Sequence, residues 1–403
     1  MRRIVITGYG AVSVLGSTKD SIADSLYYGK CGIVLDAQRR ERGFLSALTG
    51  HIRDFSSPHL SRKQKKTMPL FVQQSFEALR MAIEEARLGQ EERKSLRCGL
   101  VFGNDSSIEA GFALYKQYER VERTSELGSH HLFSVMNSTV TMNLGVLFGI
   151  QGGCWTVSGA CASGLLAVGQ GFDAISMGRS DIMLCGAAQE ISPEAVCAFD
   201  GLGAFSKCEI PEKASRPFDA RRDGLVPSGG AAAVVLEERE HALKRHAPIY
   251  GEILGFGYSS DGASLIQPNG TGLARAITMA IEGGKCSPGD ITEINAHATS
   301  TVIGDAMEAK ALQMVFGSSI PPVLALKSLT GHEFWMSGAS QIVYGLIMAE
   351  KRFLAGAPSF ESGDTDTMCL NVLKKTVDRA PETMLCEAAG FGGCNAALLL
   401  SFP

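Results

Sequence analysis

The 403-residue chain has no excess of positive charge: 38 Lys and Arg stand against 42 Asp and Glu, a formal net charge of −4. That balance gives no global attraction to nucleic acid or to an anionic membrane, so neither is expected as a partner, and an acidic partner must be met by a local basic patch. Eleven cysteines are present, but none forms a Cys-x-x-Cys pair and their spacing is irregular. This argues against a metal centre and for reduced thiols in a reducing compartment. Met1-Arg2-Arg3 runs straight into Ile4-Val5-Ile6-Thr7 without signal-peptide architecture. The most apolar stretch, Leu132 to Ile150, is interrupted by Asn137, Ser138, Thr139, Thr141 and Asn143, so no membrane span and a cytoplasmic location are expected. The third glycine of a dinucleotide fingerprint is also missing. Gly8-Tyr9-Gly10-Ala11-Val12-Ser13, with Asp36 further on, puts Ser13 at that position and reads as a glycine turn after a first strand.

What is present is a globular composition, 45% hydrophobic and 20% charged, in a chain long enough for two domains or one large double domain. Strand-like runs alternate with helix-like ones, which predicts an α/β protein with both sheet faces covered. Near residue 245 the pattern restarts: Ile249 to Tyr258 repeats the opening strand and its glycines. Two similar halves are expected, 1–245 and 246–403, although no crisp internal repeat supports the division.

The chain is organised around Val157-Ser158-Gly159-Ala160-Cys161-Ala162-Ser163-Gly164. Turn and β character precede Cys161, and Leu165, Leu166, Val168, Phe172 and Ile175 recur at helical spacing after it. A cysteine on a tight strand-to-helix turn sits at a helix N-terminus, where free N–H groups and the macrodipole are expected to lower the thiol pKa and favour the nucleophilic thiolate. Most cysteines among small residues are packed core, so a nucleophile needs bases and an oxyanion site elsewhere. Three polar motifs in the second half supply candidates: Asn295-Ala296-His297-Ala298-Thr299-Ser300-Thr301 with Asp305 and Glu308, Lys327-Ser328-Leu329-Thr330-Gly331-His332, and Gly390-Phe391-Gly392-Gly393-Cys394-Asn395. Two histidines in small-residue settings, one of them near a lysine, favour an active site.

These motifs, in this order and spacing, resemble the β-ketoacyl-acyl carrier protein synthases of the type I/II elongating group, and the resemblance runs from the first strand to the last. It implies a thiolase-like five-layer αβαβα double domain and decarboxylative Claisen condensation by a Cys-His-His set. The acyl group would be carried on Cys161, with the N–H groups of Cys161 and Phe391 as oxyanion hole, and His297 and His332 on the malonyl thioester carbonyl. Lys327 would orient His297 within a buried charge network with Glu308, Asp305 and Asn395 would support the site, and Phe391 would gate it. Thr299, Thr301, Phe199 and Gly392 would line the substrate path. No tightly bound cofactor is implied, since substrates arrive on the phosphopantetheine arm of acyl carrier protein. Arg62, Lys63, Lys65 and Lys66 would dock that acidic carrier. A homodimer is implied, with a heterodimer with a related ketosynthase subunit as the alternative.

The chain departs from the family pattern at Ala298, where glycine is usual, at Cys394, where threonine is usual, and at Glu333-Phe334-Trp335-Met336, which replaces smaller residues after the histidine. The last departure hints at a specialised acyl chain, such as a polyene. Two rival readings stay open. A coenzyme A thiolase would use a second cysteine, Cys386 or Cys394, as base. A non-catalytic or partner-dependent chain-length subunit would usually lack the cysteine.

Overall fold

The computed structural model describes residues 2–52 and 54–403; Met1 and Arg53 lie outside the described residues. Ten strands form one mixed sheet: β1 (Ile4–Val12), β2 (Cys98–Gly103), β3 (Cys154–Val157), β4 (Ile182–Gln189), β5 (Gly230–Glu238), β6 (Gly251–Ser260), β7 (Glu293–Asn295), β8 (Val323–Leu324), β9 (Thr383–Gly390) and β10 (Cys394–Ser401). Their order is β8-β7-β9-β10-β6-β1-β5-β4-β2-β3. Counted from either outer edge, the third, second, fourth, fifth and first strands of a half follow one another. The pairing sense repeats as well: β2 lies parallel to β3 and β4, and β7 parallel to β8 and β9, while the remaining pairs are antiparallel. The halves join where Ile4–Ile6 of β1 pairs with Gly251–Ile253 of β6.

Six helices cover the sheet: α1 (Leu70–Glu85), α2 (Thr139–Phe148), α3 (Ser163–Ser176), α4 (Thr271–Gly283), α5 (Val302–Phe316) and α6 (Ser337–Lys351). Alternation along the strands sorts them into layers, because successive side chains point to opposite faces. On β4, Met183, Cys185 and Ala187 join a central core with α3 and α6, while Ile182, Leu184 and Ala188 pack toward α1 and α2. On β9, Met384, Cys386 and Ala388 enter the same central core, and Leu385 faces α4 and α5. The sheet thus folds around α3 and α6 at the β1–β6 seam, giving five layers with the two most buried helices in the middle.

The glycine turn expected after the first strand is absent. β1 continues through Gly8 and Gly10 to Val12, and a Cβ on either glycine would overlap backbone of α1 at Ala82 or Ala78. In the second half Gly255 and Gly257 of β6 lie in the same way against Ala280 and Ala276 of α4. These glycines permit close strand-to-helix approach; they do not turn the chain. Asp36 caps the short helix Ala37–Glu41 through the Gln38 amide at 2.9 Å. The basic run forms its own short helix, Arg62–Lys65, capped by Ser61 and separate from α1. No helix among the described residues is long and apolar enough to cross a membrane.

Candidate active site

Cys161 lies on an elbow between β3 and α3. Ala160 adopts φ +48°, a left-handed conformation that L-residues avoid at a cost of about 1–2 kcal/mol. The surroundings hold it there. Ser163 Oγ accepts from the Gly159 amide at 2.9 Å and donates to the Ala160 carbonyl at 2.6 Å, while the Ala160 amide donates to Asp105 Oδ2 at 3.1 Å. Gly164 sits so close to Trp335 and Ala339 that a Cβ would crowd their backbone, which lets α3 and α6 meet behind the sulfur.

His332 Nε2 stands 3.2 Å from Cys161 Sγ, and its Nδ1 is 3.3 Å from Ser337 Oγ. Its own amide donates to the Val226 carbonyl at 2.7 Å. The His297 ring lies edge-on to that of His332 with centroids 5.1 Å apart. The thiol and both imidazoles bring their donor atoms within 4.8 Å of one another, a separation suited to proton exchange. The expectation of a lowered thiol pKa fails here: burial pushes Cys161 up to about 12, and the nearby Lys327 charge only partly opposes this. Burial and Lys327 hold both histidines well below their ordinary value. The resting pair is therefore thiol and neutral imidazole, with Nε2 facing the sulfur and Nδ1 facing Ser337 Oγ.

Lys327 is buried, and burial lowers its pKa against the opposing pull of Glu308, Glu333, Glu387 and Cys161. Lys327 and Glu308 make no direct ion pair within 4 Å among the described residues, so the Glu308 partnership expected from the sequence takes a longer-range form. Glu308 Oε2 instead accepts from the Ala298 amide at 2.7 Å, and Glu387 Oε1 accepts from the His297 amide at 2.9 Å. Glu333 accepts from Ser340 Oγ at 2.5 Å and Tyr344 O–H at 2.8 Å, and burial raises its pKa to about 7. Ala298 sits at φ +44°, a conformation that glycine adopts without penalty.

The site opens into a cavity of ≈ 390 Å³ lined by Cys161, His297, His332, Phe199, Thr299, Thr301, Phe391 and Asn395 among others. Asp305 shapes its polar wall: Oδ1 accepts from the Ser300 amide at 3.0 Å and Thr299 Oγ1 at 3.2 Å, and Oδ2 from the Phe218 amide at 2.7 Å. Burial raises the Asp305 pKa to about 6. At the mouth Phe391 is 42% exposed and stacks on Phe199 with centroids 5.9 Å apart. The Gly392 amide donates to the Leu265 carbonyl at 2.8 Å. Asn395 Nδ2 donates to Asp261 Oδ1 at 3.0 Å, tying this loop to the next. Phe334, at φ +42°, stacks on the His332 ring at 4.8 Å and lies tilted against Phe199 at 4.8 Å. With Trp335 it builds an aromatic wall beside Cys161.

Arg62, Lys63 and Lys66 are exposed and Lys65 half-buried, and none of the four lines the cavity. Their helix is tied to α2 by Thr67 Oγ1 donating to Asn143 Oδ1 at 2.8 Å. The sequence reading missed Glu387, Gln341, Asp261 and Asp105. Glu387 alone left a trace, as a carboxylate inside the apolar run Met384 to Ala389.

Residues 1–242 match the family described as Beta-ketoacyl synthase, N-terminal domain, and residues 250–361 match Beta-ketoacyl synthase, C-terminal domain. The chain is 36% identical to the 3-oxoacyl-[acyl-carrier-protein] synthase 1 of Haemophilus influenzae, over 99% of this chain and 98% of that one. A Beta-ketoacyl synthase crystal structure from Burkholderia phymatum superimposes with TM-score 0.94 at 32% identity, covering all of both chains. The ishigamide ketosynthase/chain length factor gives TM-score 0.92 at 27% identity, covering 100% of this chain and 99% of that one.

Proposed function

The chain belongs to the β-ketoacyl synthase family and is a condensing acyltransferase, and from that premise we propose how its residues divide the reaction. The observation that carries the assignment is the buried Cys161–His332–His297 cluster at the base of a cavity open to solvent. An acyl thioester on the phosphopantetheine arm of acyl carrier protein enters past Phe391 and runs alongside the hydrogen-bonded hydroxyls of Thr299 and Thr301. His332 takes the thiol proton as sulfur attacks the carbonyl and passes it to the departing pantetheine thiolate. The amides of Cys161 and Phe391 stabilise the oxyanion. Gly390 supports this role, since a Cβ there would lie 3.1 Å from the Cys161 nitrogen, so only glycine lets the Phe391 amide come alongside.

Malonyl-carrier protein then binds with its thioester carbonyl between the two neutral imidazoles. As carbon dioxide leaves, its carbonyl oxygen becomes negative, and each imidazole stabilises it by donating its one N–H, His332 in the tautomer that carries the proton on Nε2. The enolate carbon attacks the acyl-cysteine carbonyl, and the thiolate released takes up one proton. Lys327 supplies positive charge beside the site.

We divide the chain into halves 1–245 and 246–403, supported by the repeated strand order, and place it in the cytoplasm, in keeping with its free cysteines. The exposed Arg62, Lys63 and Lys66, with Lys65, are the docking surface for the acidic carrier. The exposed edge at β3 is where a second copy joins to form a homodimer. The relation to a ketosynthase/chain length factor keeps a related subunit as the second candidate for that place. The aromatic wall of Phe334 and Trp335 favours a specialised, flat acyl chain over bulk saturated ones.

Intact-mass analysis tests the core of this reading. The protein is mixed with carrier proteins bearing graded acyl chains, and malonyl-carrier protein is then added. An acyl adduct absent from Cys161→Ala and consumed on malonyl addition is expected. No adduct with any chain would point to a partner-dependent subunit, and best loading by plain saturated chains would refute the specialised substrate.

A further inference from the structure

Two buried carboxyl groups meet behind His297, and the condensation mechanism uses neither. Glu387 on β9 is fully buried and Glu308 on α5 is 4% exposed. Each spends one oxygen on a backbone amide, and the two amides are consecutive: His297 to Glu387 Oε1, Ala298 to Glu308 Oε2. The remaining oxygens, Glu308 Oε1 and Glu387 Oε2, have no donor among the described residues. Two unprotonated carboxylates cannot stay together in such a setting, because the interior offers no water to solvate them. Glu308 is held protonated well above the ordinary carboxyl range by burial first and the neighbouring Glu387 second.

We infer that Glu387 is a positioning residue for His297: with Glu308 it forms a carboxyl–carboxylate pair that shares one proton and grips the consecutive amides of His297 and Ala298. The inference rests on the condensing role given to His297 above. The grip acts on a strained turn, since Ala298 and Ser300 both have positive φ, +44° and +70°. Gln341 on α6 holds the other side. Its Nε2 donates to the carbonyls of Asn295 (3.2 Å), Ala296 (2.9 Å) and Glu387 (3.2 Å), stitching the end of β7 to β9. Asn295 Nδ2 returns a bond to the Gln341 carbonyl at 3.1 Å. The charged and titratable groups facing the carboxyl pair are Lys327 after β8, Asp305 on α5, Cys386 on β9 and the His297 ring itself, with Glu333 beyond Lys327. Losing the Glu308 proton at high pH would set negative charge beside Glu387 and loosen the turn that carries the imidazole.

The test compares Glu387→Gln with Glu387→Leu in the full chain. The glutamine keeps an acceptor for the His297 amide and offers an N–H to Glu308, so it replaces the shared proton with a permanent donor. Its activity should stay near that of the wild type and its alkaline limit should move upward. The leucine leaves the His297 amide without its acceptor and Glu308 with only the Ala298 amide. Malonyl decarboxylation should fall about a hundredfold, the scale of a displaced catalytic group, while acylation of Cys161 stays within about twofold, because His332 alone serves that step. An infrared titration supplies a readout free of activity: the wild type should keep a protonated carboxyl band at pH 8.5 that Glu387→Gln lacks. Absence of that band from the wild type overturns the shared proton. Equal damage by Gln and Leu, or parallel loss of acylation and decarboxylation, overturns the positioning role. If Glu387→Leu does not fold, the band and the pH profile of Glu387→Gln still decide. A wild-type protein that accepts no acyl group would refute the condensing function while leaving the infrared result to judge the pair.

Discussion

Cys161 and His332 are poised as a neutral pair, and the reason is burial competing with a helix end. Free amides at the start of α3 favour a thiolate, but at 7% exposure the sulfur loses its hydration and its pKa rises to about 12. His332 is lowered by the same burial and by Lys327, so proton transfer between them is uphill until a substrate carbonyl takes up the negative charge. Unwanted electrophiles therefore meet a thiol. Iodoacetamide alkylation of Cys161, followed by peptide mass analysis, should speed up about tenfold per pH unit from pH 6 to 9, as the thiolate fraction does below its pKa. The sign follows from a folded pKa raised above the free value, which puts the thiolate plateau beyond neutral pH. A rate already level below pH 8 would mean a preformed thiolate–imidazolium pair. Cys161, His297, Lys327 and His332 were legible in the sequence because each sits in a short local motif of small residues. The direction of the thiol shift was not legible, because it depends on what the fold packs around the sulfur. Glu387 was hidden for the same reason: its partners, the His297 amide and Glu308, come from two other elements.

At the level of elements, the opening strand shows what a sequence pattern conveys and where it misleads. Gly8-Tyr9-Gly10 and Gly255-Phe256-Gly257 suggested turns because glycine commonly breaks a strand. Both pairs instead lie inside β1 and β6, on the face covered by α1 and α4, whose backbones come too close for any Cβ. Strand-helix alternation and the recurrence near residue 245 were readable. The role of the glycines was not, since the helix each one contacts is set by tertiary packing. The two kinds of glycine should respond in opposite ways. Gly255→Ala forces a methyl against the Ala280 carbonyl and the Gly284 amide, both rigid backbone, and should cost about 1–3 kcal/mol or more in denaturant unfolding. Gly111, inside the helix Ile108–Val121, has open space where its Cβ would be. Gly111→Ala should therefore stabilise by about 0.5–1 kcal/mol, the helix-propensity difference. Equal effects of the two substitutions would remove close approach as the reason for the β6 glycines.

At the level of the whole molecule, the sheet ends abruptly at β3, which leaves one side of a four-residue strand unpaired and Cys154 exposed. Open edges invite pairing unless charge or a covering element blunts them. Here the surroundings do the reverse. Val146 on α2 is 82% exposed and Leu132 is 56% exposed, and the helix Ile108–Val121 buries none of its residues, leaving Ile108, Phe112, Tyr115 and Tyr118 exposed at helical spacing. An apolar helix face left exposed to solvent is a surface suited to a partner. A twofold axis beside β3 would pair each edge strand with its copy and cover both faces at once, the self-complementary arrangement of a C2 dimer. A standard interface buries about 1,600 Å², and at about 25 cal/mol per Å² of apolar area two glutamates placed within it would weaken association steeply. Light scattering should therefore give the wild type about twice its 42.8 kDa chain mass at micromolar concentration, and Leu132→Glu with Val146→Glu should return it to the monomer. The cysteine and both histidines gather within a single chain. The monomeric variant should consequently keep the pH dependence of Cys161 alkylation, which separates loss of assembly from loss of fold. A monomeric wild type, or a double variant that dimerises as tightly as the parent, would place the partner surface somewhere other than the β3 edge.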